Sequence, residues 1–243
     1  MPTDVRLDRV LAAVKSLPVF RGLSPDEQRQ IAALATVRDY KRGETIWREG
    51  DSAEALTLIV RGRVKVIRET AAAGEVILEI FGEGEPVGAI AVYNYMPYPA
   101  GAVCLEPAAL LALPRRDYFE LLDRHPEVAR AIIRELTKLV LALARKVEEM
   151  RGQRVEVRIA QLFLTLAERM GSETKAGVEI RIHLTRQEIA DLVGTTVESA
   201  IRVLSRWGRE RLVITGESRF VIPSRERLQA VVEGSAGGDD PEA

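Results

Sequence analysis

The chain has 243 residues, 47% of them apolar and 29% charged, with a net charge of −1. That length and balance exclude a disordered polymer and predict two domains around sizeable cores. The single cysteine, Cys104, excludes an intrachain disulfide and a thiolate metal cluster, and runs such as ALLAL and KLVLALA fall far short of a membrane span.

The opening MPTDVRLDRVLAAVKSLPVF has early acids and no signal-type cleavage region, so a cytoplasmic location without a membrane partner is expected. It predicts a short helix. LSPDEQRQIAALA predicts a second, with Ser24 as N-cap, Pro25 at the first helical position, and Ile31 and Leu34 at helical spacing. From Thr36 the period changes to alternation: EALTLIVRGRVKVIRE, GEVILEIFGEGEPVG and AVCLEPAALLALP are strand patterns broken by Gly or Pro. Such close spacing predicts a small antiparallel barrel or jelly roll across roughly 36–114.

Between Pro126 and Met150 the chain has neither Gly nor Pro, and Ile132, Leu136, Leu139, Leu143, Val147 and Met150 recur at steps of three and four. That stripe is close to a coiled-coil seam, and the helix's length favours a parallel homodimer. An amphipathic helix packed on its own barrel satisfies the same stripe. Gly152 then marks a hinge. VRIAQLFLTLAERMG reads as a helix ending at Gly171, VEIRIHL as a strand, two helices follow, and RLVITGESRFVIP is a hairpin turning near Gly216. The expected class is α+β: an N-terminal jelly-roll domain over 1–115, a dimerisation helix over 116–151, a winged helix-turn-helix over 152–232 and a disordered acidic tail over 233–243. The winged module is the basic one, with 14 Lys+Arg against 10 Asp+Glu over 151–232, a bias that fits a polyanion.

LTRQEIADLVGTTVESAIRVL meets several separate requirements of a helix-turn-helix. Thr185 and Glu188 form a capping box. Ala190 is small enough for a close helix crossing, and Gly194 permits a left-handed turn. Ile189, Val193, Ala200 and Val203 are expected inside, with Trp207 beneath the wing. The second helix is then built to enter the major groove. Glu198 and Arg202 share a face; the carboxylate accepts from a cytosine amine, and the guanidinium grips the two acceptors of guanine. The alternatives are an exposed salt bridge worth about 0.2–0.5 kcal/mol, or a capping role for Glu198 with Thr195. Within a helix-turn-helix, base readout is the favoured assignment. Thr195, Thr196, Ser199, Arg206, Arg209 and the wing's Arg219 are candidates for phosphate contacts.

The stretches VFRGLSPDEQRQIAALA, KRGETIWREGD, LIVRGRVKV, FGEGEPVGAIAVYNYMPYPAGAV, LLDRHPEV, VRIAQLFLTLA and LTRQEIADLVGTTVESAIRVLSR resemble the Crp/Fnr family of bacterial transcription regulators, to about residue 232. The resemblance implies a jelly-roll sensor, a long dimerisation helix and a winged helix reading a two-fold symmetric site on double-stranded DNA, with RNA polymerase as a further partner. Its base-reading glutamate and arginine fall on Glu198 and Arg202. The arginine that precedes them in the cyclic-AMP receptor branch falls on Val197, an apolar group suited to a thymine methyl. The implied half-sites keep a TGA-like core and differ at the neighbouring outer position.

In the cyclic-nucleotide branch the cassette supplies a glutamate to the ribose, and an arginine and a hydroxyl to the cyclic phosphate. The aligned positions here are Ala89, Pro99 and Ala100, and the adenine-contacting polar pair aligns with Leu143 and Ala144. A phosphate desolvated without its counter-charge costs several kcal/mol, which argues against cyclic AMP or GMP. What the resemblance leaves is an apolar pocket edged by Val87, Gly88, Ile90, Tyr93, Tyr95, Met96, Leu143 and Val147, either filled core or the site of an unidentified small effector. Haem is a weaker alternative: His125 and His183 lie outside the barrel strands, leaving Cys104, Met96 or the Pro2 amine as ligands. The N-terminal cysteines of the iron–sulfur branch are missing. A jelly-roll metalloenzyme needs a histidine and carboxylate cluster, and no histidine precedes residue 125, so no enzyme and no metal site are expected. A module that keeps this architecture without binding DNA is the remaining alternative.

Overall fold

The computed structural model describes residues 2–70, 74–149 and 154–234, with side chains over 5–69, 75–141 and 154–234. The chain divides into two compact units, Met1–Ala142 and Leu143–Ala243.

The first unit opens with α1 (Pro2–Ser16) and α2 (Pro25–Leu34), joined through a 3-10 turn at Pro18–Phe20. Ser24 caps α2 as expected: its hydroxyl accepts from the Glu27 N–H, and the Glu27 carboxylate accepts from the Ser24 N–H at 2.7 Å. Ile31 is buried, whereas Leu34 is 49% exposed, so the apolar face of α2 is narrower than its spacing implied.

Eight strands follow: β1 (Thr36–Tyr40), β2 (Thr45–Trp47), β3 (Ala55–Arg61), β4 (Val64–Thr70), β5 (Gly74–Phe81), β6 (Pro86–Val87), β7 (Gly101–Cys104) and β8 (Ala108–Pro114), with the short helix α3 (Ala89–Tyr93) between β6 and β7. They form two four-stranded antiparallel sheets, β1-β8-β3-β6 and β2-β7-β4-β5, the jelly roll that the alternation predicted. Leu56, Leu58, Ile59, Leu111 and Leu113 are almost wholly buried, because helices cover the outer face of β3 and β8. Burial on both faces explains the near-continuous apolar runs of these two strands. α4 (Arg115–Arg124) follows, and α5 (Pro126–Glu149) begins in this unit and extends past Ala142.

The first two positions of the expected seam on α5 turn to the barrel. Ile132 is 4% exposed and joins the barrel's own core, Leu136 packs against that core, and Leu139 is half-buried. Among the described side chains of α5, the large apolar residues left in solvent are Ile133, Val140 and Leu141, at 60, 63 and 53% exposure. The outward stripe is therefore displaced by one residue, about 100° around the helix axis, from Ile132, Leu136 and Leu139. Periodicity specifies a face but not its partner, and the barrel claimed this one first. The remaining seam positions, Leu143, Val147 and Met150, lie outside the residues whose side chains are described.

The second unit contains α6 (Val155–Met170), β9 (Gly171–Thr174), β10 (Gly177–Ile180), α7 (Arg186–Val193), α8 (Val197–Arg209), β11 (Ile214–Thr215), β12 (Phe220–Ile222) and α9 (Arg225–Glu233). Its antiparallel sheet has the order β11-β12-β10-β9. Phe163 of α6 meets Phe220 of β12 edge-on at 5.0 Å, and Ile159, Ile180, Ile189, Trp207, Val213 and Ile222 are buried in the same unit. Two elements extend the sequence reading. β9 pairs with β10, and α9, capped by the Ser224 hydroxyl accepting from the Arg227 N–H at 3.2 Å, extends through Glu233 into the segment expected to be tail.

Candidate nucleic-acid interface

The helix-turn-helix is built as its sequence specifies. Thr185 and Glu188 exchange both hydrogen bonds of a capping box at the start of α7. Gly194 ends that helix in the left-handed region at φ +63°, where a β-carbon brings strain. The Thr195 N–H donates to Ala190 O at 2.9 Å, closing the turn. Thr196, rather than Glu198 with Thr195, caps α8: its hydroxyl accepts from the Ser199 N–H at 3.3 Å. Ile189, Ala190, Val193, Ala200, Val203, Leu204 and Trp207 are all buried, fixing the crossing of the two helices.

That burial determines what α8 presents outward. Glu198, Ile201, Arg202 and Arg209 are exposed, and Val197 and Ser199 are half-buried at the first turn. Ile201, 45% exposed, is a surface apolar residue that the sequence reading did not single out. The Arg202 guanidinium makes a long contact, 3.4 Å to Ser199 Oγ, and its charge points to solvent. Arg206 behaves differently. It pairs with Glu156 of α6 at 2.8 Å and Glu210 at 3.7 Å, which ties α8 to α6 instead of leaving a free guanidinium. Arg219 on the wing pairs at 3.1 Å with the buried Glu179 of β10, which also holds Arg181 at 2.5 Å. Hydrogen bonding from Arg181 holds the Glu179 carboxyl below its ordinary range. His183 and Arg186 fasten the wing further, through Glu217 O at 3.0 Å and Thr215 Oγ1 at 3.2 Å.

Among the described residues, those expected to edge the pocket divide between core and surface. Val87, Ala89 and Ala100 are buried, but Ile90, Tyr93, Tyr95, Met96 and Pro99 are exposed. Tyr95 stacks on Phe119 of α4 at 5.2 Å, with the Arg115 guanidinium 5.0 Å from its ring, beside an open surface groove of about 500 Å³. Leu143, Ala144 and Val147 lie outside the residues whose side chains are described. Inside the cassette, Trp47 and Tyr98 stack at 4.1 Å, and Trp47 Nε1–H donates to Ala100 O at 3.1 Å. A β-carbon placed on Gly88 lies 2.5 Å from Tyr98 Cε1, so this region is packed tight. Neither aromatic was singled out from sequence, because they are far apart along the chain and meet only in the fold. Of the arginines on β3, β4 and the turn between them, Arg63 is paired with Glu106 and Arg61 is exposed, while Arg68 reaches the cassette, donating to Pro99 O at 2.8 Å. Cys104 is 1% exposed, and burial pushes its thiol up to about 11, an unreactive state. Among the described residues, no group of three His, Cys, Asp or Glu is placed to hold a metal ion, and no helix is long and apolar enough to cross a membrane.

A jelly-roll barrel in one unit and a winged helix-turn-helix in the other define a barrel-bearing, DNA-binding type of regulator. Comparison with known proteins agrees for both parts. A cyclic nucleotide-binding domain model matches residues 37–125, and a Crp-like helix-turn-helix domain model matches residues 157–231. The chain is 28% identical over 223 residues to the cyclic AMP receptor protein of Thermus thermophilus, covering 92% of this chain and 100% of that one. It is 23% identical to a CRP-like cAMP-activated global transcriptional regulator of Mycobacterium tuberculosis, over 91% of this chain and 98% of the relative. A solved CRP-family transcriptional regulator, also from Thermus thermophilus, superimposes with a TM-score of 0.68 at 22% identity, covering 81% of this chain and 96% of that one. The chain belongs to the Crp/Fnr family of transcription regulators, a family of DNA-binding proteins and not of enzymes.

Proposed function

We propose that the chain acts as a homodimer that binds an inverted repeat on double-stranded DNA with TGA-like half-sites, read by Glu198 and Arg202 of α8 with Val197 at the neighbouring outer position. The observation that carries this reading is the two-sidedness of α8: Ala200, Val203, Leu204 and Trp207 bury its inner face, while the carboxylate and guanidinium one turn apart stand in solvent. Thr195, Thr196, Ser199 and Arg209 supply phosphate contacts around them. Arg206 serves the reading indirectly, by fixing α8 on α6 through Glu156. Dimerisation uses the stripe Ile133, Val140 and Leu141 of α5, since an exposed apolar row on a 24-residue helix is most readily covered by its own copy. RNA polymerase is the further partner, and the chromosome places the protein in the cytoplasm.

The barrel of this protein does not respond to cyclic AMP in the manner of the relatives named for it. Ala89, Pro99 and Ala100 offer a cyclic phosphate no side-chain donor, and Trp47 stacks on Tyr98 beside them. A second reading, response to a cyclic nucleotide through a different counter-charge, has one observation in its favour: the Arg68 guanidinium at Pro99 O. Whatever the signal, it acts only through a difference in affinity between the binding-competent arrangement and the other.

Selection of bound sequences from a random duplex pool, with and without cyclic AMP, tests both readings. An inverted repeat with TGA-like half-sites recovered equally in both arms is the expected result. Enrichment only with the nucleotide transfers the assignment to Arg68, and no enrichment in either arm or with cell extract refutes the DNA-binding reading.

A further inference from the structure

Three side chains at the base of the wing are arranged in a way that the helix-turn-helix itself does not require. Glu179 sits on β10, Arg181 immediately follows that strand, and Arg219 precedes β12, which pairs with β10 at Glu179 and Val221. The Glu179 carboxylate takes one arginine on each oxygen: Oε1 accepts from Arg181 Nε at 2.5 Å, and Oε2 accepts from Arg219 Nη1 at 3.1 Å. Exposure is sharply unequal across the trio. The carboxylate side chain is 9% exposed, while Arg181 and Arg219 are 80% and 61% exposed. A group approaching the wing from solvent therefore meets two guanidiniums, with the acid beneath them.

The trio has one more positive than negative charge and is held at both ends. A β-carbon on Gly216 would lie 2.9 Å from Arg219 Cγ, so the wing turn leaves only glycine-sized space beside that arginine. His183 Nδ1, which must carry the proton because a carbonyl only accepts, donates to Glu217 O at 3.0 Å. Arg186 links Thr215 of the wing to the first turn of α7. In this docking geometry the first helix of the motif crosses the phosphate backbone, so the wing is fastened to the element that lies against phosphates.

We infer that Arg181 and Arg219 form a two-guanidinium clamp for DNA backbone phosphate beside the half-site, with Glu179 as the positioning residue that pre-orients both. This rests on the DNA-binding reading above and adds Arg181 and Glu179 to it. Two arginines fixed on a shared carboxylate lose less freedom on meeting a phosphate than two unrestrained ones, and planar guanidiniums match phosphate oxygens in pairs. A phosphate contact carries no sequence information, so the clamp supports register and affinity without changing which bases are read.

The test is the salt dependence of affinity for the full-length protein on a selected duplex and on a scrambled one. R181A and R219A are each expected to weaken both duplexes alike and to lower the slope of log K against log salt by about one per wing. E179A separates positioning from simple charge. It removes a negative charge, so field effects alone predict tighter binding, whereas positioning predicts weaker binding on both duplexes. Melting midpoints identify any variant that fails to fold, and R181A and R219A, truncated at exposed side chains, keep the clamp testable if E179A unfolds. An R181A slope equal to wild type, or E179A binding tighter than wild type, overturns the clamp while R202A still reports on base readout. Wild-type protein with no salt-dependent affinity for either duplex refutes the DNA-binding reading and the clamp together.

Discussion

Replacing Arg202 with alanine isolates base readout better than any other change in this molecule. The side chain is exposed, and its contact with the rest of the fold is the 3.4 Å approach to Ser199 Oγ. Truncation therefore alters folding stability by no more than about 0.5 kcal/mol, and any loss of affinity belongs to the interface. A bidentate guanidinium–guanine contact is worth about 1–3 kcal/mol of discrimination. In the proposed dimer two half-sites double this to about 2–6 kcal/mol for a symmetric operator, roughly thirtyfold to twenty-thousandfold in Kd. The assay is a cycle: wild type and R202A, each titrated against the selected operator and against operators changed one base pair at a time. The variant should become indifferent at one guanine position per half-site while keeping its preferences elsewhere. If R202A keeps the wild-type preference at every position and loses affinity evenly, Arg202 is a phosphate contact and the readout assignment fails.

Other regions of the molecule carry predictions of their own. Y98A removes a ring that is 6% exposed and stacked on Trp47, and should cost about 3–5 kcal/mol of stability, read as a lowered urea midpoint at unchanged slope. Cys104 should resist a thiol reagent at pH 8 until the protein unfolds. Its folded thiol titrates at about 11 against an ordinary 9.0, so the folded state keeps a proton that the unfolded chain releases, and this residue's contribution to stability should decline from pH 9 to pH 11 and disappear in C104S. I133E with V140E should convert the protein to monomer in sedimentation while leaving the barrel's melting midpoint near wild type. L136E, which places a charge against the barrel core, should lower that midpoint instead.

The elements that local chemistry specifies were legible in the sequence. Ser24 with Glu27, and Thr185 with Glu188, are reciprocal caps formed within a single helical turn, and Gly194 occupies a position defined by its own φ angle. The two-residue period of the strands likewise belongs to each strand alone. What depends on a distant partner was not legible. Arg206 and Arg219 have the same surface signature as Arg202 and Arg209, yet each is held by an acid far away in the chain, Glu156 or Glu179. The cassette followed the same rule. Tyr93 and Tyr95 have the apolar bulk of pocket residues, but Tyr95 finds Phe119 on α4 and stays at the surface, while the ring that fills the interior is Tyr98, held by Trp47. α9 escaped notice for a different reason: Ser224 signals its start, but the acidic, glycine-rich segment beyond it reads as tail.

The two apolar faces of α5 connect these observations to regulation. Ile132 and Leu136 belong to the barrel's core, and Ile133, Val140 and Leu141 face outward from the same rigid turns. A close-packed core moves between discrete arrangements and does not deform continuously. A change that repacks the barrel around Ile132 must therefore turn or shift the outward stripe with it, since no glycine or proline interrupts the helix to absorb the motion. In the proposed dimer that stripe meets its copy, so a shift is registered by both protomers at once, and the energy available for it is bounded by the signal's differential affinity for the two packings. Trp47 and Tyr98 are buried and stacked beside the cassette, so the core there is already packed in the absence of a ligand. On the proposed reading, the protein binds its operator without an added nucleotide.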